Sequence, residues 1–338
     1  MPLSSVAAIE TFVQRGVGWW NCQDWGRLHL VGAGVTDYLH SQTSQDMKAV
    51  AVGAGCETTF MTATAHLIDQ VTAYRQDAED WLLITAPGSR LTLGGWIQRL
   101  LMFTRTSRLL DVTEQTAMVR VAGGESAAWL QSQGLPLPEG QHHHLQSAWQ
   151  GIPLHVAQGC GLGIPGYTLW TETTEADVWH NLLAGIPRVT DQEWQALTVV
   201  RGRPCWGAEI TEDYNPLEAG LWSAISLSKG CYIGQEVLAK QVTYQRLRQR
   251  LWGVHLEQVV AAGSPIVIDE HKEGVLTRCV VLDDGIYGLG YVRTKTGEEG
   301  RRVQVGDTWA TLHERPELTF AQQAPLPRST TQTVSQSN

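Results

Sequence analysis

The chain has little that would place it in or against a membrane. Its 338 residues contain no apolar run long enough to span a bilayer. The first residues carry no basic charge and the apolar stretch after them is short, so we expect no signal peptide. The net charge is −9, which argues against a general binder of nucleic acid or of anionic membranes. We therefore expect a cytoplasmic protein with no nucleic-acid partner and no membrane partner.

Cysteine is sparse and unpaired along the sequence. The six cysteines lie far apart, and no Cys-x-x-Cys pair or zinc-type spacing occurs. A stable iron–sulfur cluster usually needs four thiolates, which no stretch of this chain offers close together. Three adjacent histidines, residues 142–144, follow a Pro- and Gly-rich segment, which is typical of an exposed loop. We expect free thiols in a reducing compartment and no bound metal.

The remaining composition is that of an ordinary globular protein. Hydrophobic residues make up 43% and charged residues 17% of the chain, and its length is enough for two or three domains. A short internal repeat relates residues 28–42 to residues 119–133, with Gly32 matching Gly123. Each copy begins as an apolar strand, breaks at glycine and continues with apolar residues at helical spacing. The repeat predicts two related α+β units.

The sequence pattern changes near residue 246. Beyond it, short and partly alternating apolar segments are separated by Gly and Pro, which predicts a small β-barrel over residues 246–320. We assign residues 1–245 to a body that contains the two related units. Residues 321–338 are rich in Pro, Ser, Thr and Gln and predict a disordered tail. The predicted fold class is therefore α+β with a C-terminal β-barrel domain.

The octapeptide Lys-Gly-Cys-Tyr-Ile-Gly-Gln-Glu, residues 229–236, is the strongest functional signal. It places Cys231 between two glycines, with Lys229 just before it. The residues that follow are rich in helix formers and predict a helix that begins after Gly234. A lysine and a helix N-terminus both favour the thiolate form of a cysteine. The alternative is that Cys231 is a small buried hydrophobe.

The octapeptide resembles the signature of the YgfZ family, whose members are folate-binding relatives of the aminomethyltransferase, or T-protein, of the glycine cleavage system. The family signature has the form Lys-Gly-Cys-Tyr-x-Gly-Gln-Glu, and every fixed position is present here. The resemblance covers about residues 25–320 and is looser outside the octapeptide. It implies a T-protein-like fold, in which two related units surround a central cleft that holds tetrahydrofolate.

The resemblance also implies roles for individual residues. Cys231 and Lys229 would be the catalytic pair. Asp69 matches an aspartate that lies near the folate in T-proteins. Arginine binds carboxylates well, so an arginine after the octapeptide would meet the glutamate tail of folate. The cofactor-binding residues that we expect are Asp69, Tyr232, Gln235, Glu236 and Arg246.

One position departs from T-proteins, which carry a glutamate that recognises the pterin ring. Val200 takes that place here, so we expect folate to bind more weakly than in relatives with the glutamate. We also expect the substitution Val200→Glu to tighten folate binding. Glu209, Glu212 and Asp213 form an acidic segment, which we attribute to solvent exposure.

By resemblance, the protein is an accessory factor that supports assembly or repair of iron–sulfur enzymes. Its partners would be reduced folate and iron–sulfur client or assembly proteins, and an accessory factor is favoured over an enzyme. Two alternatives stay open. The first is a tetrahydrofolate-dependent aminomethyltransferase, which the octapeptide disfavours because T-proteins lack it. The second is a scaffold that has the folate-binding fold without the ligand.

Overall fold

Two antiparallel sheets and a closed barrel make up the computed structural model, which describes residues 2–101, 106–172 and 177–315. The predicted tail, residues 321–338, lies outside the described residues. The described helices are α1 (Val6–Arg15), α2 (Val35–Gln42), α3 (Arg90–Leu101), α4 (Ser126–Ser132), α5 (Asp177–Leu182), α6 (Asp191–Arg201) and α7 (Gln235–Thr243). The described strands are β1 (Gly18–Asn21), β2 (Trp25–Val31), β3 (Gly55–Met61), β4 (Leu67–Asp77), β5 (Asp80–Pro87), β6 (Arg108–Asp111), β7 (Ala117–Ala122), β8 (His144–Trp149), β9 (Ile152–Gln158), β10 (Gly166–Thr171), β11 (Gln249–Leu256), β12 (Pro265–Ile268), β13 (His271–Leu282), β14 (Gly285–Arg293), β15 (Arg302–Val305) and β16 (Thr308–His313). None of these helices is long and apolar enough to cross a membrane.

The first α+β unit is built on a five-stranded antiparallel sheet with the order β3-β4-β5-β2-β6. Helices α2 and α3 pack on it, and Leu39 and Trp81 are fully buried in the shared core. Helix α3 forms although it contains a Gly-Gly pair. Its residues Leu93, Ile97 and Leu101 are spaced one helical turn apart and bury one apolar face, which stabilises the helix against the sheet.

The second unit has a five-stranded antiparallel sheet with the order β1-β7-β10-β9-β8. Its core joins Val121 and Leu169 of the sheet to Leu130 of α4 and Leu182 of α5. Strand β1 comes from the N-terminal part of the chain and pairs with β7. The chain therefore crosses between the units before the first sheet begins. Side chains of both sheets share one core, in which the ring of Tyr74 stacks on that of Trp170.

The internal repeat corresponds to the same strand–turn–helix arrangement in both units. Strand β2 leads to α2 through Gly32 (φ +111°), and β7 leads to α4 through Gly123 (φ +110°). Close packing also requires glycine there. A Cβ at Gly32 would lie 2.1 Å from the carbonyl oxygen of Thr106, and one at Gly123 would lie 2.3 Å from that of Gly16. The prediction of two related α+β units is confirmed.

The C-terminal strands form a closed six-stranded barrel with the order β11-β14-β13-β12-β15-β16. Pairing of β11 with β16 closes it. Its interior is filled by buried aliphatic side chains that include Val254, Ile266, Leu276 and Leu312. The predicted C-terminal β-barrel is confirmed.

Glu209 joins the body to the barrel. It is fully buried, and its carboxylate accepts hydrogen bonds from Arg278 at 3.0 Å, from the N–H of Cys205 at 2.9 Å and from the hydroxyl of Thr277. The hydroxyl of Tyr291 donates to its carbonyl oxygen at 2.8 Å. The attribution of Glu209 to solvent exposure was wrong, because barrel residues distant in sequence cover it. A buried carboxylate with this full set of partners holds the barrel in one orientation.

Candidate functional site

A cavity of about 690 Å³ is lined by residues from both sheets, from α6 and from the barrel. We call it the central cavity. Its lining contains four tryptophans (Trp20, Trp25, Trp194 and Trp206) and several charged side chains (Asp24, Arg120, Arg188, Asp191, Arg203 and Arg278). The cleft expected between the two related units is therefore present.

Three of these tryptophans form a rigid group. Trp20 and Trp194 stack with ring centroids 3.9 Å apart and planes inclined by 15°, and Trp25 meets Trp20 edge-on at 5.6 Å. The indole N–H of Trp20 donates to Asp191 at 3.0 Å, which fixes the orientation of the ring. Aromatic faces held in place before binding suit a flat ring as ligand.

Two arginines of the lining are held by carboxylates, one half-buried (Glu57) and one fully buried (Glu209). Arg203 donates to Glu57 at 2.6 Å, and Arg278 donates to Glu209 at 3.0 Å. Burial by itself would raise the pKa of Glu57, but the charge of Arg203 brings that pKa below its ordinary value. Glu57 is therefore ionised at neutral pH, and the charge of Arg203 is balanced within the protein.

Arg120 differs from these arginines because no carboxylate pairs with it in the described segments. It extends from β7, is 2% exposed and lines the central cavity. Its guanidinium lies over the ring of Trp25, with Cζ 3.8 Å from the ring centroid. Its Nε and Nη1 have no hydrogen-bond acceptor among the residues that the structure describes. Buried donors without acceptors are uncommon and often indicate a binding site.

Asp69 is fully buried and lies outside the lining of the central cavity, where its neighbour Gln70 is found instead. The Asp69 carboxylate accepts hydrogen bonds from the hydroxyl of Ser89 at 2.6 Å and from the N–H of Gln70 at 2.8 Å. Burial raises the pKa of Asp69 to about 7. Because successive side chains of a strand point to opposite faces, only one of the two residues can face the cavity. The geometry does not support a direct contact between Asp69 and folate.

Val200 also lies outside the lining of the central cavity. It is 3% exposed and belongs to an apolar core that includes Leu197. The residues of α6 that line the cavity are Asp191, Trp194, Gln195 and Thr198. The expected gain in affinity from Val200→Glu has no support in this geometry, because the new carboxylate would enter the apolar core.

Cys231 is the one exposed cysteine among the six, all of which lie in described segments. The alternative that it is a buried hydrophobe is wrong. Burial raises the pKa of Cys22 and of Cys56 to about 12, so these thiols are almost entirely protonated at neutral pH. The helix predicted after Gly234 is confirmed, since Gly234 is the N-cap of α7.

Lys229 is buried, and its ammonium group donates hydrogen bonds to three main-chain carbonyls. The acceptors are His40 at 2.5 Å, Thr43 at 2.7 Å and Gln45 at 2.7 Å. They lie at the C-terminal end of α2 and just beyond it, where helix carbonyls lack partners within the helix. Lys229 thus clamps the octapeptide to α2 and uses all three of its N–H donors. Its predicted role in activating Cys231 stays a prediction.

His40 is a residue that sequence analysis missed. It lies in the last turn of α2, and a Cβ placed on Gly230 would be 3.7 Å from its Nε2. Its Nδ1 is 3.2 Å from the carboxylate of Asp46. Burial, followed by the charge of Lys229, lowers the pKa of His40, so the imidazole is neutral at pH 7. A neutral imidazole beside the residue that precedes Cys231 can accept a proton. No motif signalled it, because only the fold brings α2 to the octapeptide.

Three other predicted ligand-binding residues make contacts within the octapeptide and α7 and do not line the central cavity. The ring of Tyr232 is buried under the ammonium of Lys229, 4.6 Å from Nζ to the ring centroid. Gln235 donates to the carbonyl of Lys229 at 3.3 Å. Glu236 is exposed and pairs with Lys240 at 2.6 Å. None of the three lines the central cavity.

Arg246 lines a second cavity of about 560 Å³, which we call the basic groove. The groove is lined by Gln245, Arg246, Leu247, Arg248, Arg293, Thr294 and Lys295. It shares no lining residue with the central cavity, so the geometry does not support binding of Arg246 to a ligand held there. Within the described ranges, no group of three or more His, Cys, Asp or Glu side chains is arranged to hold a metal ion.

The fold defines the class of protein. The structure superposes on the glycine cleavage system aminomethyltransferase T of Bartonella henselae with a TM-score of 0.79. The match covers 91% of this chain and 88% of that chain at 18% identity. The protein therefore has the aminomethyltransferase-like, or T-protein-like, fold.

Sequence comparison gives the family. The GCVT N-terminal domain matches residues 4–229. A chloroplastic protein of Arabidopsis thaliana, provisionally named a transferase, is 32% identical over 89% of this chain and 70% of its own length. The aminomethyltransferase of Thermosynechococcus vestitus is 24% identical over 91% of this chain and 87% of its own length. The chain belongs to the GCVT N-terminal domain family.

Proposed function

We propose that the protein is a YgfZ-type accessory factor, which binds reduced folate and supports assembly or repair of iron–sulfur enzymes through Cys231. The observation that carries this proposal is the exposure of Cys231 within an octapeptide that has every fixed position of the YgfZ signature. Free cysteines in proteins are usually buried. A thiol presented at the surface, next to a lysine that anchors its loop, is therefore available for chemistry.

The central cavity fits a reduced folate. Its volume of about 690 Å³ is within the usual range for small-molecule sites. Trp20, Trp25 and Trp194 line it with aromatic surface, and the unpaired donors of Arg120 offer hydrogen bonds. Aminomethyltransferases depend on tetrahydrofolate, and the similarity to the enzyme of Thermosynechococcus vestitus supports the same ligand class here. When bound, a reduced folate would carry one-carbon units on N5 of its ring, on N10 of the adjoining arm, or bridged between them.

Cys231 supplies a soft and nucleophilic sulfur. In this proposal His40, which lies beside Gly230 and whose Nδ1 is 3.2 Å from the carboxylate of Asp46, accepts the thiol proton. Cys231 does not line the central cavity. In this proposal a client protein reaches the thiol from outside while the folate occupies the cavity.

Complementation tests the proposal. Cells that lack the protein should lose activity of iron–sulfur enzymes, and wild type should restore it. Cys231→Ser should fail to restore activity although it melts like wild type, because serine is nearly isosteric but forms no thiolate. The matched control is Cys279→Ser, in the barrel. Its thiol donates to the carbonyl of Val260 at 3.3 Å, a bond that serine can keep, so this variant should rescue fully.

The outcomes separate the alternatives. Full rescue by Cys231→Ser would remove the role of the thiol. Transfer of an aminomethyl group to tetrahydrofolate by the purified protein, unaffected by Cys231→Ser, would instead indicate an aminomethyltransferase. If calorimetry detects no binding at millimolar tetrahydrofolate, the remaining alternative is a scaffold that has the folate-binding fold without the ligand.

A further inference from the structure

Arg120 occupies a site within the central cavity that is built around its guanidinium. The side chain is 2% exposed, and the ring of Trp25 covers the guanidinium at 3.8 Å. Gly161 (φ +72°) also lies against it, since a Cβ at this position would come within 2.9 Å of Nη1. Any larger residue at position 161 would displace the guanidinium. Glycine therefore leaves the space that the arginine fills.

This guanidinium has hydrogen-bonding capacity that the protein does not use. Its Nε and Nη1 are buried without an acceptor in the described part of the chain. Glu57, whose pKa the charge of Arg120 helps to lower, is already engaged by Arg203 and Gln70. A buried charge without an acceptor is strongly unfavourable, and the contact with Trp25 offsets only part of this cost. An acceptor from outside the chain would complete the site.

We propose that Arg120 donates to the ring oxo group of a pteridine-type ligand in the central cavity. The inference rests on the proposed function, which supplies the ligand class. A flat ring can pack against the tryptophans of the lining while its oxygen meets the planar guanidinium edge. The carboxylates of a glutamate tail are strongly hydrated and suit an exposed partner such as Arg188, which also lines the cavity. The structure therefore assigns Arg120 to the ring and not to the tail.

Calorimetry on the full chain tests this assignment with two probes, tetrahydrofolate and 6-methyltetrahydropterin, which has the ring without the tail. Arg120→Met keeps most of the side-chain length and removes the donors. We expect Arg120→Met to lower the affinity for both probes by a similar factor, about 10- to 100-fold. Arg120→Lys keeps the charge but loses the planar fork, and should restore only part of the affinity.

Arg99→Met is the matched control. Arg99 is exposed, lies over the ring of Trp96 with Cζ 5.3 Å from its centroid, and is outside the cavity lining. Arg99→Met makes the same substitution at another arginine–tryptophan contact, so it should leave the affinities for tetrahydrofolate and 6-methyltetrahydropterin unchanged. Thermal unfolding without ligand supplies a second readout. Arg120→Met should melt at or above the wild-type temperature, because it removes an unpaired buried charge. If Arg120 instead had a purely structural role, Arg120→Met would melt at a lower temperature than wild type.

The results distinguish this inference from the proposed function. If wild type binds both probes and Arg120→Met binds them equally well, the assignment of Arg120 is overturned while folate binding stands. If Arg120→Met weakens binding of tetrahydrofolate alone, Arg120 contacts the tail, and its assignment to the ring is overturned. The assignment is also overturned if wild type binds tetrahydrofolate but not 6-methyltetrahydropterin. If wild type binds neither probe, the proposed function fails and this inference fails with it.

Discussion

Replacing Lys229 by methionine tests whether this lysine is a structural clamp or an activator of Cys231. Methionine has a similar length, so packing over Tyr232 is largely kept while the ammonium group is removed. The change leaves the carbonyls of His40, Thr43 and Gln45 without their shared donor. Hydrogen bonds to a charged group contribute about 1.5–3 kcal/mol each, but they are not additive, and loss of a buried charge recovers part of the cost. We expect the free energy of unfolding to fall by about 3 kcal/mol.

Urea unfolding followed by tryptophan fluorescence and circular dichroism measures this change. Lys240→Met is the matched control, since Lys240 is exposed and pairs with Glu236 one helical turn away. Its midpoint should equal that of wild type, because exposed pairs of this kind contribute little. Alkylation of Cys231 should be at least as fast in Lys229→Met as in wild type, because the octapeptide is released from α2.

A midpoint for Lys229→Met equal to that of Lys240→Met would refute the clamp. If alkylation of Cys231 also slowed several-fold in Lys229→Met, the lysine would act on the thiolate, as the sequence indicates. Destabilisation together with unchanged or faster alkylation would establish the structural role.

Three further predictions concern the exposed thiol of Cys231, the core residue Val200 and the buried carboxyl group of Asp69. Cys231 should alkylate first, and Cys22 and Cys56, with a pKa of about 12, should react on the order of 1,000-fold more slowly than an ordinary thiol at pH 8, as measured by iodoacetamide pulses and peptide mapping. Val200→Glu should lower the melting temperature and weaken folate binding in calorimetry, because a carboxylate enters an apolar core. Asp69→Asn should flatten the pH dependence of urea unfolding between about pH 4 and 7. The pKa of Asp69 rises from 3.8 to about 7 on folding, so wild type binds more protons when folded and loses stability as pH rises through this window.

Each of these predictions has a control and a contradicting result. First labelling of the half-buried Cys279 would contradict the order of cysteine reactivity. Val200→Leu, which keeps the core apolar, should bind folate like wild type, and tighter binding by Val200→Glu would mean that α6 presents this position to the cavity. For Asp69, parallel stability curves of wild type and Asp69→Asn from pH 4 to 7 would show that the carboxyl is not perturbed.

Features that depend on local spacing could be predicted from the sequence. The repeat predicted the strand–turn–helix units at Gly32 and Gly123, because positive φ and close packing at a turn both require glycine. The helix after Gly234 followed from a run of helix formers, and the barrel followed from short, partly alternating apolar segments separated by Gly and Pro. Cys231 was identified because its motif is contiguous in the chain.

The surroundings of charged side chains could not be predicted in this way. Glu209 belongs to an acidic segment typical of solvent exposure, yet Arg278 of the barrel covers it. Lys229 precedes Cys231 in the motif, yet its ammonium binds the end of α2. Asp69 matched a family aspartate, although its neighbour in the strand faces the cavity.

The sequence by itself determined the two related units, the barrel and the thiol motif, because backbone preferences and apolar periodicity act over a few residues. The exposure of Cys231 came from the structure. Only the tertiary structure decided which polar groups share a site. Arg120 meets Trp25 and Gly161 from distant segments, and His40 meets the octapeptide from the first unit. Whether a charge faces water, a partner or a cavity depends on contacts between residues far apart in the chain, and those contacts leave no periodic signal in the sequence.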